Sequence, residues 1–146
     1  MRGTRRWGTP GWSIVDVEGG RQPLLLERDG RTVLAVVFTG EVYNHGELRR
    51  EPAGLGHRFR THGDGEVVLH AIDAWGPDAP GRLEGMFAHA AWEPARRRLT
   101  LARDRLGIKP LCYARTEAGT VFGSEPKAVL AHPDVPGHWT TTGFVN

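Results

Sequence analysis

The chain has 146 residues, of which 39% are hydrophobic and 25% charged, a balance typical of one soluble globular domain. The net charge is only +2 and no stacking aromatics are interleaved with the arginine clusters, so no nucleic-acid partner is expected. No apolar run approaches the roughly 20 residues of a membrane span, and no secretory signal is visible, so no membrane association is expected. The single cysteine, Cys112, excludes an internal disulfide and favours a cytoplasmic location.

Short strands are predicted wherever apolar residues cluster between turn signals. Arg28-Asp29-Gly30 is a predicted turn between two strand-like runs, while residues 93–96 and 116–119 are predicted hairpin connections. In chain order, the predicted strands are residues 12–17, 32–38, 86–93, 99–103, 111–115 and 120–123.

Helical periodicity is clearest between Glu66 and Trp75, where apolar residues fall on one face and Gly76-Pro77 ends the run. A shorter helix is predicted from Pro126 to about His132. A third pattern, at residues 47–55, contains Pro52 and Gly54, so that helix is expected to be short or broken.

Two motifs leave a structural and a functional interpretation open. The segment Phe38 to His45 follows a predicted strand, and Gly40 within it allows a ligand to approach the backbone closely, although such a turn is also an ordinary strand end. Asp64 precedes the helix at Glu66, where it would serve as the N-terminal cap or, beside a pocket, would bind an ammonium group.

Three other features favour structural roles. The segment Arg103 to Leu111 is predicted to be a tight, ion-paired corner between strands, and Cys112 to be a small hydrophobic residue of the following strand. Histidine pairs such as His57/His62 and His132/His138 lack a consistent ligand spacing, so no metal site is expected.

Taken together and in this order, the motifs resemble the class II glutamine amidotransferase domain of glutamine-hydrolysing asparagine synthetases. The resemblance covers residues 12–135, and several independent motifs at compatible spacing make it specific. The segments that carry it are Ser13–Asp16, Gly19–Pro23, Gly40–Asn44, Gly56–Thr61 with Asp64 and Glu66, Leu83–Phe87, Arg103–Leu111 and Gly123–Ala128.

The resemblance implies an α+β fold of the N-terminal-nucleophile hydrolase type, an αββα sandwich of two antiparallel sheets between helices, here incomplete. In that family an N-terminal cysteine attacks the side-chain amide of glutamine, its own α-amine acts as the base, and the ammonia passes to a second domain. That synthetase domain uses ATP and magnesium to convert aspartate to asparagine. No cofactor is expected in this chain, which lacks a Ser-Gly-Gly-x-Asp-Ser type of ATP-pyrophosphate loop.

By the same resemblance, three groups of residues would form the glutamine pocket. Glu41 and Asp64 would hold the α-ammonium group of glutamine. Gly40 would supply an oxyanion N–H and Thr39 occupies the other oxyanion position. The backbone around Ile14 and Val15 would complete the pocket.

The sequence departs from the family at several catalytic positions. Arg2 stands where the family has its nucleophilic cysteine after the initiator methionine, and Cys112 lacks a free α-amine on the same residue. Thr39 replaces the oxyanion asparagine, and Gly11 replaces the arginine that would pair with the substrate carboxylate.

The resemblance and these departures predict a partial glutaminase domain at residues 12–135, with non-matching tails at residues 1–11 and 136–146. The chain alone is expected to be inactive, which leaves its status as an enzyme open. Two alternatives remain: a non-catalytic module that binds glutamine or docks on a separate synthetase domain, and a mispredicted gene fragment of an active asparagine synthetase.

Overall fold

The computed structural model describes residues 22–54 and 56–136, which form six strands and four α-helices. Two 3₁₀ turns, Gly76–Asp78 and Pro94–Arg96, connect neighbouring elements. The strands are β1 (Leu24–Arg28), β2 (Arg31–Val42), β3 (Gly85–Glu93), β4 (Arg98–Arg103), β5 (Cys112–Thr116) and β6 (Gly119–Gly123). The helices are α1 (His45–Gly54), α2 (Asp64–Trp75), α3 (Ala79–Arg82) and α4 (Pro126–Leu130).

The strands of the described residues form two antiparallel sheets. Strands β1 to β4 pair in sequence order: short turns join β1 to β2 and β3 to β4, whereas the helices α1 to α3 lie between β2 and β3 in the chain. Strands β5 and β6 form a separate hairpin, against which α4 packs. The predicted α+β class with two antiparallel sheets is therefore confirmed.

The main core lies between the larger sheet and α2. Alternate residues of β2 point to the same face of the sheet, and Leu34, Val36, Phe38 and Val42 are all buried there. Helix α2 contributes Val67, Val68, Ala71 and Ile72 from its apolar face. Each fully buried valine contributes about 1.5–3 kcal/mol through the hydrophobic effect, so this interface fixes α2 across the sheet.

The structure confirms the predicted strands that lie within the described residues, together with the helices at residues 66–75 and 126–132. The predicted strand at residues 12–17 lies outside the described part. The expectation of a broken α1 was wrong, since the helix runs unbroken through Pro52. Pro52 is fully buried and falls in the last turn, so its missing N–H removes only one helical hydrogen bond.

Among the residues that the structure describes, none of the helices is both long and apolar enough to cross a membrane.

Candidate functional site

The candidate site lies along one edge of β2, the edge that faces away from β3. Strand β1 covers this edge only as far as the pair Leu24↔Val36. One step further, the side-chain amide of Gln22 makes the hydrogen bonds that a neighbouring strand would make. The Phe38 N–H donates to Gln22 Oε1 at 2.7 Å, and Gln22 Nε2 donates to the Phe38 carbonyl at 2.5 Å. Within the described residues, no strand covers the edge from Phe38 to Val42.

Asp64 closes the far end of this edge. The backbone N–H of Val42 donates to Asp64 Oδ2 at 3.1 Å. The N-terminal cap of α2 is Gly63, and Asp64 is the first helical residue. The interpretation of Asp64 as a cap was therefore wrong, because its carboxylate bonds to β2 rather than to its own helix.

Gly40 lies between these two contacts, and its backbone faces the same edge. In an antiparallel ladder, residues two apart direct their N–H and C=O groups to the same side, and Phe38 and Val42 both face outward. Gly40 is opposite Phe87, whose N–H and C=O are instead bonded to Asp104. Gly40 thus presents both backbone groups to the edge, where no described side chain bonds to them.

Only glycine fits at position 40. Its φ angle is 126°, a conformation that side chains disfavour. A Cβ atom there would lie 1.9 Å from the Met86 carbonyl oxygen and 2.7 Å from the Phe87 Cα. The close approach of β2 and β3 therefore determines the residue type, independently of any ligand.

The structure places the other predicted site residues on or beside this edge. Glu41 follows Gly40 and is partly exposed, and its carboxylate makes no hydrogen bond or ion pair within the described residues. Thr39 is exposed and opposite Ala88. Ile14 and Val15 lie outside the described part of the chain. The structure thus joins Thr39, Gly40 and Glu41 on one strand and brings Asp64 to its end.

Asp104 anchors the neighbouring corner, a role that sequence reasoning missed. Its Oδ1 accepts the N–H groups of Leu106 and Ile108 at 3.1 and 2.9 Å, and its Oδ2 accepts those of Phe87 and Lys109 at 3.2 and 3.0 Å. Burial raises the pKa of Asp104, but the four N–H groups outweigh burial and hold the pKa below its usual value. The expected ion-paired corner was wrong, because backbone donors satisfy its carboxylate.

Glu66 is a second saturated carboxylate near the start of α2. It accepts the N–H groups of Arg60 and Thr61 at 2.8 and 2.7 Å, and the Thr61 hydroxyl at 2.7 Å. Burial raises the pKa of Glu66, yet these hydrogen bonds prevail and lower it. Glu66 therefore holds the segment before α2 in place. Of the two carboxylates, Asp64 accepts fewer hydrogen bonds from the described residues and can accept more from a ligand.

A histidine pair lies beside Glu66, with His70 Nε2 3.8 Å from Glu66 Oε1. His57 Nδ1 lies 3.0 Å from His70 Nδ1 and 3.4 Å from Asp73 Oδ2, so His57 pairs with His70 rather than with His62. Burial lowers the pKa of His70, and the electrostatic effect of the neighbouring His57 ring lowers it further. Both rings line a cavity of about 600 Å³ between β1 and α2, which does not include Gly40, Glu41 or Asp64.

The comparison with protein families is consistent with this geometry. A family model described as a glutamine amidotransferase domain matches residues 6–145. The chain therefore belongs to the glutamine amidotransferase domain family.

The similar curated proteins are asparagine synthetases. The chain is 44% identical to asparagine synthetase [glutamine-hydrolyzing] 3 of Bacillus subtilis (strain 168) over 132 residues, which cover 90% of this chain and 21% of that protein. It is 45% identical over 122 residues to a putative asparagine synthetase [glutamine-hydrolyzing] of Mycobacterium tuberculosis (strain ATCC 25618 / H37Rv), which cover 81% and 18%. The chain thus spans about a fifth of the length of these relatives.

Solved structures show the same fold. The glutamine phosphoribosylpyrophosphate amidotransferase of B. subtilis, solved in complex with ADP and GMP, matches with a TM-score of 0.60 and 25% sequence identity. The match covers 74% of this chain and 25% of that chain. The predicted N-terminal-nucleophile amidotransferase fold is therefore confirmed.

Proposed function

We propose that the open edge of β2 binds glutamine, with its α-ammonium group between Glu41 and Asp64 and its side-chain amide at Gly40. The observation that carries this proposal is the hydrogen bond from Val42 to Asp64, which brings a carboxylate from α2 to the strand that bears Gly40 and Glu41. Two carboxylates near one cation form charge-assisted hydrogen bonds, which are stronger than neutral ones.

The hydrogen-bonding capacity at the edge suits such a ligand. Asp64 uses Oδ2 for Val42, while its Oδ1 accepts no hydrogen bond from the described residues. Glu41 likewise has no partner there. An ammonium group has three N–H donors, so these free oxygens match what the ligand offers.

The N–H group of Gly40 suits the other end of the ligand. It would donate to the side-chain carbonyl oxygen of glutamine, and in a hydrolytic reaction it would stabilise the oxyanion that forms there. Thr39, in place of the family asparagine, offers a shorter side chain for a second donor, so we propose weaker oxyanion stabilisation at this site.

We further propose that the 146-residue polypeptide binds glutamine without hydrolysing it by itself. The reaction of the family uses the thiol and the free α-amine of one N-terminal cysteine, and the only cysteine in the sequence is the internal Cys112 of β5. A synthetase domain that uses ATP and magnesium would supply the remaining steps of asparagine formation. The proposed location is the cytoplasm, where such biosynthesis takes place.

Calorimetry with L-glutamine tests the binding proposal. The parent chain should show saturable heat at millimolar glutamine, and Glu41→Gln should weaken binding by about tenfold because one carboxylate is lost. The matched control is Glu47→Gln, which alters an exposed glutamate of α1 and should leave affinity unchanged. Equal affinities for the parent and Glu41→Gln would refute the role of Glu41, and release of ammonia by the purified chain above the buffer rate would refute the lack of hydrolysis.

A further inference from the structure

Gln22 occupies the place where the β1–β2 ladder ends. The register Leu24↔Val36 runs antiparallel, so the residue opposite Phe38 is Gln22. At this step the side chain, rather than the backbone, of Gln22 makes both ladder bonds to Phe38. Among residues 22–54 and 56–136, the ladder therefore continues for one residue beyond β1 and stops one step before Gly40.

The side chain of Gln22 is itself a glutamine carboxamide bound to this edge. Its oxygen accepts a backbone N–H at 2.7 Å, and its nitrogen donates to the C=O of the same residue at 2.5 Å. Gly40 presents the same pair of backbone groups two residues further along β2. A second carboxamide, from a ligand, can therefore bind at Gly40 in the manner in which Gln22 binds at Phe38.

This arrangement also explains why a carboxamide would be preferred over a carboxylate. A carboxylate accepts hydrogen bonds but cannot donate to a backbone carbonyl, so it would place a negative oxygen against the Gly40 C=O. The amide of glutamine satisfies both groups of Gly40, whereas the side-chain carboxylate of glutamate satisfies only the N–H.

We propose that Gln22 is a positioning residue of the glutamine site, which holds the edge of β2 at Phe38 so that the Gly40 N–H and C=O receive the carboxamide of the ligand. Gln22 does not touch the reacting atoms. It acts by keeping a strand edge that no other described strand covers in its ladder geometry before the ligand arrives, which reduces the ordering cost of binding. This inference rests on the proposed function, whose failure the experiment below distinguishes.

Asn44 provides a matched control for the experiment. Its side-chain amide also bridges two backbone groups, since Asn44 Nδ2 donates to the Arg82 carbonyl at 2.9 Å and the Glu84 N–H donates to Asn44 Oδ1 at 3.0 Å. That bridge joins β2 to the loop before β3 and lies away from the open edge. Removing either bridge deletes two hydrogen bonds between a side-chain amide and the backbone, but only Gln22 lies next to Gly40 along the edge.

The test compares Gln22→Met, Gln22→Glu and Asn44→Leu for glutamine affinity and for the urea midpoint of unfolding. Gln22→Met should weaken glutamine binding by about tenfold. Gln22→Glu keeps the acceptor but loses the donor to Phe38. Its affinity for glutamine should lie between those of Gln22→Met and the parent. Asn44→Leu should lower the urea midpoint as Gln22→Met does, yet keep the affinity within about twofold of the parent.

Two results would overturn the inference: an unchanged affinity in Gln22→Met, or an equal loss in Asn44→Leu. Hydrogen exchange of the Phe38 amide provides a readout without glutamine. It should be slow in the parent and fast in Gln22→Met, and fast exchange in the parent would refute the ladder itself. If the parent does not bind glutamine while this exchange pattern holds, the proposed function fails and the ladder at Phe38 stands.

Discussion

Asp104 and Asp64 are two aspartates that capture backbone N–H groups at ends of the same sheet, but they do so to different extents. Asp104 accepts four N–H groups, and neither of its oxygens is free. Asp64 accepts one, from Val42, and its second oxygen has no partner within the described residues. The same contact, between an aspartate and backbone N–H groups, therefore forms a fully hydrogen-bonded corner at Asp104 and an open edge at Asp64.

The difference shows how a binding site can be distinguished from a structural motif here. A carboxylate that the chain saturates with its own donors has no capacity left for a ligand, however polar its surroundings. Near Asp64, the carboxylate of Glu41 and the outward-facing backbone of Gly40 also make no hydrogen bond to any residue that the structure describes. The open edge is thus defined by the groups that the described part of the chain leaves without hydrogen bonds, rather than by residue types.

The largest expected effect on stability comes from removing hydrogen bonds to Asp104. In Asp104→Asn, the amide nitrogen would face two N–H donors that the carboxylate now accepts, so the free energy of unfolding should fall by about 4 kcal/mol. Urea denaturation measures this loss. The control Asp78→Asn alters an exposed aspartate that makes no cap hydrogen bond, and it should change stability by less than about 0.5 kcal/mol. Similar losses in both variants would contradict the anchoring role.

His89 also has unused hydrogen-bonding capacity, but it lies in the core rather than at an edge, and we expect it to make the stability depend on pH. Its side chain is 2% exposed, both ring nitrogens lack partners within the described residues, and burial lowers its pKa from 6.5 to about 4. The unfolded chain therefore binds the proton first, so stability should be full above about pH 6.5 and should fall by about 3 kcal/mol as the pH drops to about 4.

The control for this prediction is His89→Phe, which fills a similar space without a titrating group. Burial also lowers the pKa of His70, so some loss in the same pH window should persist in the variant. Thermal melts from pH 7 to pH 4 should show a smaller decline for His89→Phe than for the parent. An identical decline would mean that His89 does not titrate in this range.

Gly40→Ala should distort the open edge by pushing β2 away from β3, with a moderate loss of stability. A Cβ atom would meet the Met86 carbonyl at 1.9 Å, and the backbone would be strained at a φ angle of 126°, so we expect a loss of about 2 kcal/mol and no glutamine binding. Gly46→Ala is the matched control: nothing lies near its Cβ, and it sits within α1. That variant should be neutral or more stable by up to about 1 kcal/mol. Equal melting temperatures for the two variants would refute the packing argument.

Asp64→Asn should have the smallest effect on stability among these changes. The asparagine oxygen can still accept the Val42 N–H, so the loss should stay below about 1 kcal/mol. Affinity for glutamine should nevertheless fall by about tenfold or more, because the negative charge beside the ammonium group is gone. A variant that unfolds more easily but binds as tightly as the parent would make Asp64 structural, like Asp104.

The sequence predicted the local elements well and the contacts between them less well. Alternating and helical periodicities identified β2, β3 and α2 because these patterns depend on neighbours along the chain. The saturation of Asp104 by Phe87 and the contact of Asp64 with Val42 depend instead on residues that are far apart in sequence. Sequence spacing alone therefore suggested an ion-paired corner and a helix cap, and both interpretations were wrong.

For the candidate site, the resemblance named Gly40, Glu41 and Asp64, which the structure places at one edge. Pattern reasoning could not find Gln22, because its role arises only where β1 leaves the sheet and the side chain takes over the pairing. A signal was present, since Gln22 lies directly before Pro23, which lacks an N–H and so cannot donate to a strand ladder. The pairing of His57 with His70 likewise required the fold.

The central claim is that the backbone of Gly40, which makes no hydrogen bond within residues 22–54 and 56–136, is open for glutamine. Amide NMR of the parent chain during a titration with L-glutamine tests this claim most directly, with L-glutamate as the comparison ligand. The predicted result is a fast-exchanging Gly40 amide whose resonance shifts saturably with glutamine and less with glutamate, while the Phe38 amide stays protected. A Gly40 amide that is already protected from exchange, or that does not respond while other resonances report glutamine binding, would contradict the account.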